Sequence, residues 1–225
     1  MAEKNAYFVS GIDTDAGKSY ATGYLARFWR EQGRRVITQK FIQTGCPIDR
    51  RTGCHAISED IALHRAIMGT GLLPEDTDHT TCPIRLGYPA SPDLAARLEG
   101  RQIDLSQVDT ATGRLLQSYD VVLLEGAGGL MVPVRGLYTS LDYIAERGLE
   151  VILVTNPRLG SINHTMLSLE ACRSRGVRVA MTLYNLHPET SPRITADTRE
   201  AIADYLALHH PECRMMDVPV IETDW

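Results

Sequence analysis

Nine consecutive residues, Gly11-Ile12-Asp13-Thr14-Asp15-Ala16-Gly17-Lys18-Ser19, form the densest chemical signal in this chain. They follow an apolar run at Tyr7 to Ser10 and lead directly into a helical pattern. A glycine turn lets backbone N–H groups converge on an anion, and a helix N-terminus adds its partial positive charge. The Lys-Ser pair then supplies a cation for phosphate and a hydroxyl for magnesium. The segment reads as a P-loop, with five residues rather than four between Gly11 and Gly17.

A triphosphate also needs Mg²⁺, whose octahedron prefers hydroxyl, carboxylate and water oxygens. Glu125 ends the apolar run VVLLE and precedes Gly126-Ala127-Gly128-Gly129. It therefore presents a carboxylate at the edge where open α/β sheets bind ligands, unless it is only an acidic strand end at the surface. Asp60, in SEDIALHRAI, reads either as a second carboxylate or as a helix-start acid. Lys40 ends ITQK and can neutralise charge on a transferring phosphoryl group, or sit in an ordinary ion pair. Thr44 and Gly45 just beyond offer a hydroxyl and a bare backbone to a small substrate. Asn185, after VAMTLY, can read a base with its paired donor and acceptor, or serve a turn. Leu159-Gly160-Ser161-Ile162-Asn163-His164 opens a helix whose free N–H groups suit a carboxylate, although an ordinary cap by Ser161 explains the same residues. His164 reads as a packed or capping histidine, and His209-His210 as a helix C-terminus.

Bringing these residues to one edge requires a parallel sheet. Strands are expected at Tyr7 to Ser10, Val36 to Lys40, Val121 to Glu125, Val151 to Thr155, Val179 to Tyr184 and Met215 to Val218. Unbroken runs such as VVLL and VILV suit strands buried on both faces. Helical patterns fall between them: Lys18 to Gln32, with Ala21, Leu25 and Phe28 as its buried stripe and Gly33 as its stop, and others opening at Ser91-Pro92, Ser106, Ser161 and Ser191. Gly45 to Asp104 holds no convincing strand and reads as helices and functional loops. The expectation is a doubly wound α/β fold in one domain over residues 1–225.

Composition narrows the partners. Basic residues number 23 against 28 acidic ones, a net of -5, and they are scattered, which argues against a nucleic-acid footprint. No apolar run approaches a membrane span, and the start MAEKNAYFVSG lacks a signal-peptide pattern. Cys46, Cys54, Cys82, Cys172 and Cys213 form no CxxC pair, so reduced thiols in a cytoplasm fit best.

Together these segments resemble the dethiobiotin synthetase family of ATP-dependent ligases. The similarity runs through YFVSGIDTDAGKS, KFIQTG, SEDIAL, YPASPDLAARLEG, VVLLEGAGGLMVPV and VILVTNPRLGSINH to Asn185. It implies a P-loop NTPase fold whose parallel sheet has seven strands. By the same resemblance Thr14, Asp15, Ala16, Gly17, Lys18, Ser19 and Tyr20 wrap the ATP phosphates, and Ser19, Asp60 and Glu125 hold Mg²⁺. Lys40 becomes the catalytic lysine, aided by Lys18, and Thr44 a substrate contact. Glu125, Gly126, Ala127 and Gly128 line the nucleotide with Asn185 and Pro219. The family is a homodimer in which the substrate carboxylate reaches a helix N-terminus of the partner subunit, here Ser161, Ile162 and Asn163.

The implied chemistry converts one amine of 7,8-diaminononanoate with CO₂ into a carbamate. The carbamate oxygen attacks the γ-phosphate of ATP, and the second amine attacks the mixed anhydride to close the ureido ring, releasing ADP and phosphate. Phe41 stands where the family usually has proline, Asp93 where histidine is common, and the chain is short beyond Pro219. The competing class is a regulatory or partner-binding P-loop domain without ligase activity. P-loop ATPases of the partitioning kind carry a second lysine five residues before the loop lysine, and Asp13 at that position argues against that class.

Overall fold

The apolar runs fold into the middle of a sheet covered on both faces. The computed structural model describes residues 5–48, 56–187 and 189–220. In chain order its strands are β1 (Asn5–Gly11), β2 (Val36–Lys40), β3 (Val121–Gly129), β4 (Pro133–Arg135), β5 (Tyr138–Thr139), β6 (Glu150–Thr155), β7 (Val179–Asn185) and β8 (Arg214–Val218). The main sheet runs β2-β3-β1-β6-β7-β8, and each neighbouring pair is parallel. β4 and β5 form a separate antiparallel ribbon. The doubly wound α/β expectation holds, with six strands in the sheet among the described residues and not seven.

The helices are α1 (Lys18–Glu31), α2 (Glu59–Met68), α3 (Pro74–Thr77), α4 (Pro92–Leu98), α5 (Ser106–Ser118), α6 (Ser140–Arg147), α7 (Ser161–Ser174) and α8 (Pro192–His209). In α1 the buried stripe is Ala21, Leu25 and Trp29, while Phe28 is only half-buried and stacks on Tyr24. Ile37 of β2 and Val122 of β3 pack with Leu115 of α5. Between β2 and α5 the described residues hold the helices α2, α3 and α4 and an isolated bridge from Gln43 to Arg85, with no strand among them, as expected for the described part of Gly45 to Asp104.

α5 and α7 open at Ser106 and Ser161 as expected, but neither serine is the cap. Ser106 is the first residue of α5 and is itself capped, its N–H and hydroxyl both donating to Asp104 Oδ1. Ser161 does not cap α7 either. Gly160 takes that place with φ 91°, and the Ser161 hydroxyl is buried without a partner among the described residues. Cys54 lies outside the described residues, and Cys82, Cys172 and Cys213 form no disulfide among the described residues.

Candidate functional site

Strand register alone brings Lys40 and Glu125 together. Lys40 at the end of β2 pairs in register with Glu125 of β3, and Val9 of β1 pairs with Glu125 from the other side. The P-loop leaves β1 two residues later, so the loop, the lysine and the carboxylate share one sheet edge. β3 does not stop at Glu125: the glycine run continues the strand to Gly129, which still pairs with Gly11. Glycine is required for that approach, because a Cβ on Gly126 would lie 2.6 Å from the Phe8 ring.

The loop is held from several strands. The Asp13 carboxylate accepts from Thr14 N at 2.6 Å and caps a short 3-10 turn, Thr14–Ala16. Lys18 arches back over the loop, donating to the carbonyls of Asp13 (3.0 Å) and Thr14 (3.1 Å). Asn185, at the end of β7, donates to Ala16 O at 3.2 Å, and Asn156, just past β6, donates to Asp15 O at 3.3 Å. Gly17 has φ 81°, and a Cβ there would fall 2.2 Å from Asn185 Nδ2. Only glycine meets both demands. Tyr20 donates its hydroxyl to Pro219 O at 3.1 Å, which ties the start of α1 to the segment after β8.

Over this loop the acidic groups converge on one hydroxyl. Ser19 Oγ lies 2.8 Å from Glu125 Oε1 and 3.0 Å from Asp60 Oδ1. Lys40 Nζ lies 2.8 Å from the same Glu125 oxygen, donates to Gly126 O at 3.1 Å and pairs with Asp60. Asp60 is both a first-turn acid of α2 and a member of this cluster. These three oxygen-bearing side chains are hard ligands of the kind Mg²⁺ takes, and two carboxylates leave coordination positions for phosphate and water. Among the described residues no group of three or more His, Cys, Asp and Glu gathers at metal spacing. The donor set fits magnesium better than a metal that needs an all-protein cage.

Burial sets the electrostatics. Desolvation works against the Lys40 ammonium, but the charges of Glu125 and Asp60 outweigh it and hold its pKa above the ordinary lysine value. Burial likewise opposes ionisation of Glu125, and Lys40 and His64 overcome it, keeping the carboxyl below its usual range. For Lys18 burial dominates and lowers the pKa, with Glu125 pulling the other way.

A cleft of about 470 Å³ opens over the loop, lined by Lys18, Lys40, Thr44, Asp60, Glu125 and Gly128 among others. Thr14, Asp15, Gly17, Ser19, Tyr20 and Ala127 also reach it, while Ala16 is buried behind. Ser161, Ile162 and Asn163 are not among its lining residues. Their helix instead flanks a second cleft of about 490 Å³, where His164 and Leu167 face Asp13, Thr14 and Met131.

Sequence reasoning missed His64, Thr38, Arg65 and Arg158. His64 stands four residues after Asp60 on one helix face, a spacing that was available as a signal. Arg158 Nη2 lies 2.6 Å from Asp13 Oδ2, and that guanidinium is the first cause holding the Asp13 pKa down. Phe41, at the usual proline position, is fully buried, meeting Phe8 edge-on at 5.3 Å and Tyr143 at 4.7 Å. Its N–H donates to Glu125 O at 2.8 Å, a bond that proline cannot make. Asp93 pairs with Arg97 and accepts from Gly136 N.

Fold and site together define a P-loop, nucleotide-dependent α/β protein, and the profile of a family described as an AAA domain matches residues 5–219. The ATP-dependent dethiobiotin synthetase of Pasteurella multocida is 47% identical over 91% of this chain and 92% of its own length. Those of Chlorobaculum tepidum and Haemophilus influenzae are 51% and 52% identical, over 87% and 81% of this chain and 78% and 91% of theirs. The chain belongs to the ATP-dependent dethiobiotin synthetase family of ligases.

Proposed function

We propose that the protein is a dethiobiotin synthetase built as one ligase domain over residues 1–225, closing the ureido ring on 7,8-diaminononanoate with CO₂ and ATP. The observation that carries this reading is the shared oxygen Glu125 Oε1, met at 2.8 Å by both the P-loop hydroxyl and Lys40. A purely regulatory nucleotide domain has no use for a buried lysine at that point. Because Lys40 is held charged, it stabilises negative charge on the transferring phosphoryl oxygens and does not act as the base for an amine. Lys18 and the N–H groups of Asp15 to Tyr20 bind the phosphates, and Ser19, Asp60 and Glu125 hold Mg²⁺, which supplies further charge neutralisation when bound. Thr44 borders the diamine end of the substrate. Asn185 and Pro219 flank the base.

The working form is a homodimer, in which Ser161, Ile162 and Asn163 receive the carboxylate of a substrate seated on the partner subunit. Exposed apolar side chains nearby support that assembly: Met131 is 56%, Leu159 83% and Leu167 61% exposed. The location is cytoplasmic, a reading supported by Cys82, Cys172 and Cys213, which stand as thiols among the described residues, as a reducing compartment would keep them. No helix among the described residues is long and apolar enough to cross a membrane. The decisive measurement is ADP release. It should require the diamine and bicarbonate together; steady ADP formation with either one absent would refute ligation in favour of a regulatory hydrolase.

A further inference from the structure

The two oxygens of Glu125 face different surroundings. Oε1 points to Ser19 and Lys40, whereas Oε2 lies 2.6 Å from His64 Nε2, and neither side chain of that pair is exposed. α2 delivers both Asp60 and His64, one turn apart, so a single helix face supplies a carboxylate to the cleft and an imidazole to the rear of Glu125. Behind the ring, Nδ1 lies 3.0 Å from Thr38 Oγ1, which accepts from Arg65 Nη1 at 2.8 Å. Arg65 in turn is gripped by both oxygens of Asp76 at 2.8 Å each. An ionised carboxylate only accepts, so Nε2 must carry a hydrogen. Arg65 uses one lone pair of Thr38, whose own hydroxyl hydrogen is left to meet Nδ1. Each link from Glu125 to Asp76 then has a donor facing an acceptor.

We propose that His64 is a positioning residue that turns Glu125 into a one-oxygen ligand and thereby sets the choice of metal. With Oε2 committed to His64, Oε1 alone is presented beside Ser19. Mg²⁺ and Mn²⁺ accept carboxylates one oxygen at a time in an octahedron, whereas Ca²⁺ often takes both oxygens of one carboxylate in a larger shell. His64 thus favours the smaller ions over Ca²⁺. This rests on the reading that Ser19, Asp60 and Glu125 hold the metal.

The test uses full-length protein with ADP and follows Mn²⁺ by electron paramagnetic resonance, with Mg²⁺ and Ca²⁺ as competitors. In His64→Gln the side-chain amide N–H reaches as far from Cβ as Nε2 does; in His64→Asn it stops short, at the place of Nδ1. His64→Asn should weaken Mn²⁺ and Mg²⁺ by about 10- to 100-fold, the range for losing a partner that orients a metal ligand. Ca²⁺ should lose less, metal-free ADP binding should be unchanged, and His64→Gln should recover most of the loss. Equal losses for Mg²⁺ and Ca²⁺, or no loss in either variant, would overturn the proposal while leaving the metal site intact. If wild-type protein showed no ADP-dependent Mn²⁺ site, or Glu125→Gln left that site unaltered, the metal reading and the proposal would both fall. A measurement on wild-type protein does not depend on the variants folding: with ¹⁵N-labelled histidine, His64 should show a hydrogen on Nε2 that exchanges slowly. A bare Nε2 would overturn the arrangement.

Discussion

Two corners of the cleft region are built from similar residue types and end in opposite states. At the Glu125 corner, Ser19, Lys40, His64, Thr38, Arg65 and Asp76 hand hydrogen bonds from one to the next, and the deepest members are fully buried. At the start of α7, Arg158 Nε, Ser161 Oγ and His164 Nδ1 are buried without hydrogen-bond partners among the described residues. The side chains of Leu159 and Leu167 beside them are exposed. Buried polar groups left unmatched cost free energy. At the first corner the named side chains meet partners within the chain, whereas three buried polar atoms at the second meet none among the described residues, which the proposed assembly would match by an addition from outside. In the proposed dimer that addition is a substrate carboxylate and a second copy.

The contrast predicts where substitutions act. The largest effect should follow Arg65→Met, which strips the Asp76 carboxylate of its fully buried partner; breaking such a pair costs about 3–5 kcal/mol. Urea unfolding should show that loss, and a shift below about 1 kcal/mol would mean the network is not the rigid half. Next in size is Lys40→Gln, expected to lower turnover by about a hundredfold, or about 2.7 kcal/mol of barrier, with nucleotide binding kept. Gly160→Pro should instead cripple the other corner, since proline cannot adopt the φ of 91° found there. Mixed dimers of these two variants should regain activity in the one site that combines two intact halves. Heterodimers that form yet remain inactive would sink the shared site. The smallest effect belongs to Glu170, on the outer side of α7, where Arg173 and then the Tyr205 hydroxyl hold the carboxyl down to about 2 from the usual 4.5. A depressed carboxyl stabilises the fold above its unfolded value, and that contribution is lost as pH falls from about 4.5 toward about 2. Glu170→Gln should therefore flatten the acid limb of the stability curve slightly, read from urea midpoints at about pH 5 and about pH 3. Identical limbs would show that the pair is idle in solution.

Much of this protein is settled locally, and local settings are what a sequence displays. The P-loop needs a glycine turn, a lysine and a hydroxyl in consecutive positions, so Gly11 to Ser19 declare it without any partner. Strands buried on both faces declare themselves by unbroken apolar runs, and five of the six sheet strands end within one residue of their expected C-terminal limits, the exception being β3. β3 runs on to Gly129 because glycines can continue a ladder that their turn preference argues against. What makes the bare backbone of Gly126 necessary is the ring of Phe8 on the neighbouring strand, a residue far away in the chain.

Other features are decided only in three dimensions. The type of Asp60 is readable, but its meeting with Ser19 and Lys40 depends on how α2 packs against α1 and β2. His64 carries a helical spacing signal, yet nothing in SEDIALHRAI says that its ring reaches Glu125, 61 residues away. The capping role expected of Ser161 fails because Gly160 occupies the cap with a backbone open chiefly to glycine, which leaves the hydroxyl inside the first turn. Residue types, turns and strand runs follow from short-range sterics and hydrophobic pattern, which each segment carries by itself. Which side chains share a proton, a carboxylate or a metal follows from packing between segments far apart in the chain, and only the folded structure decides that.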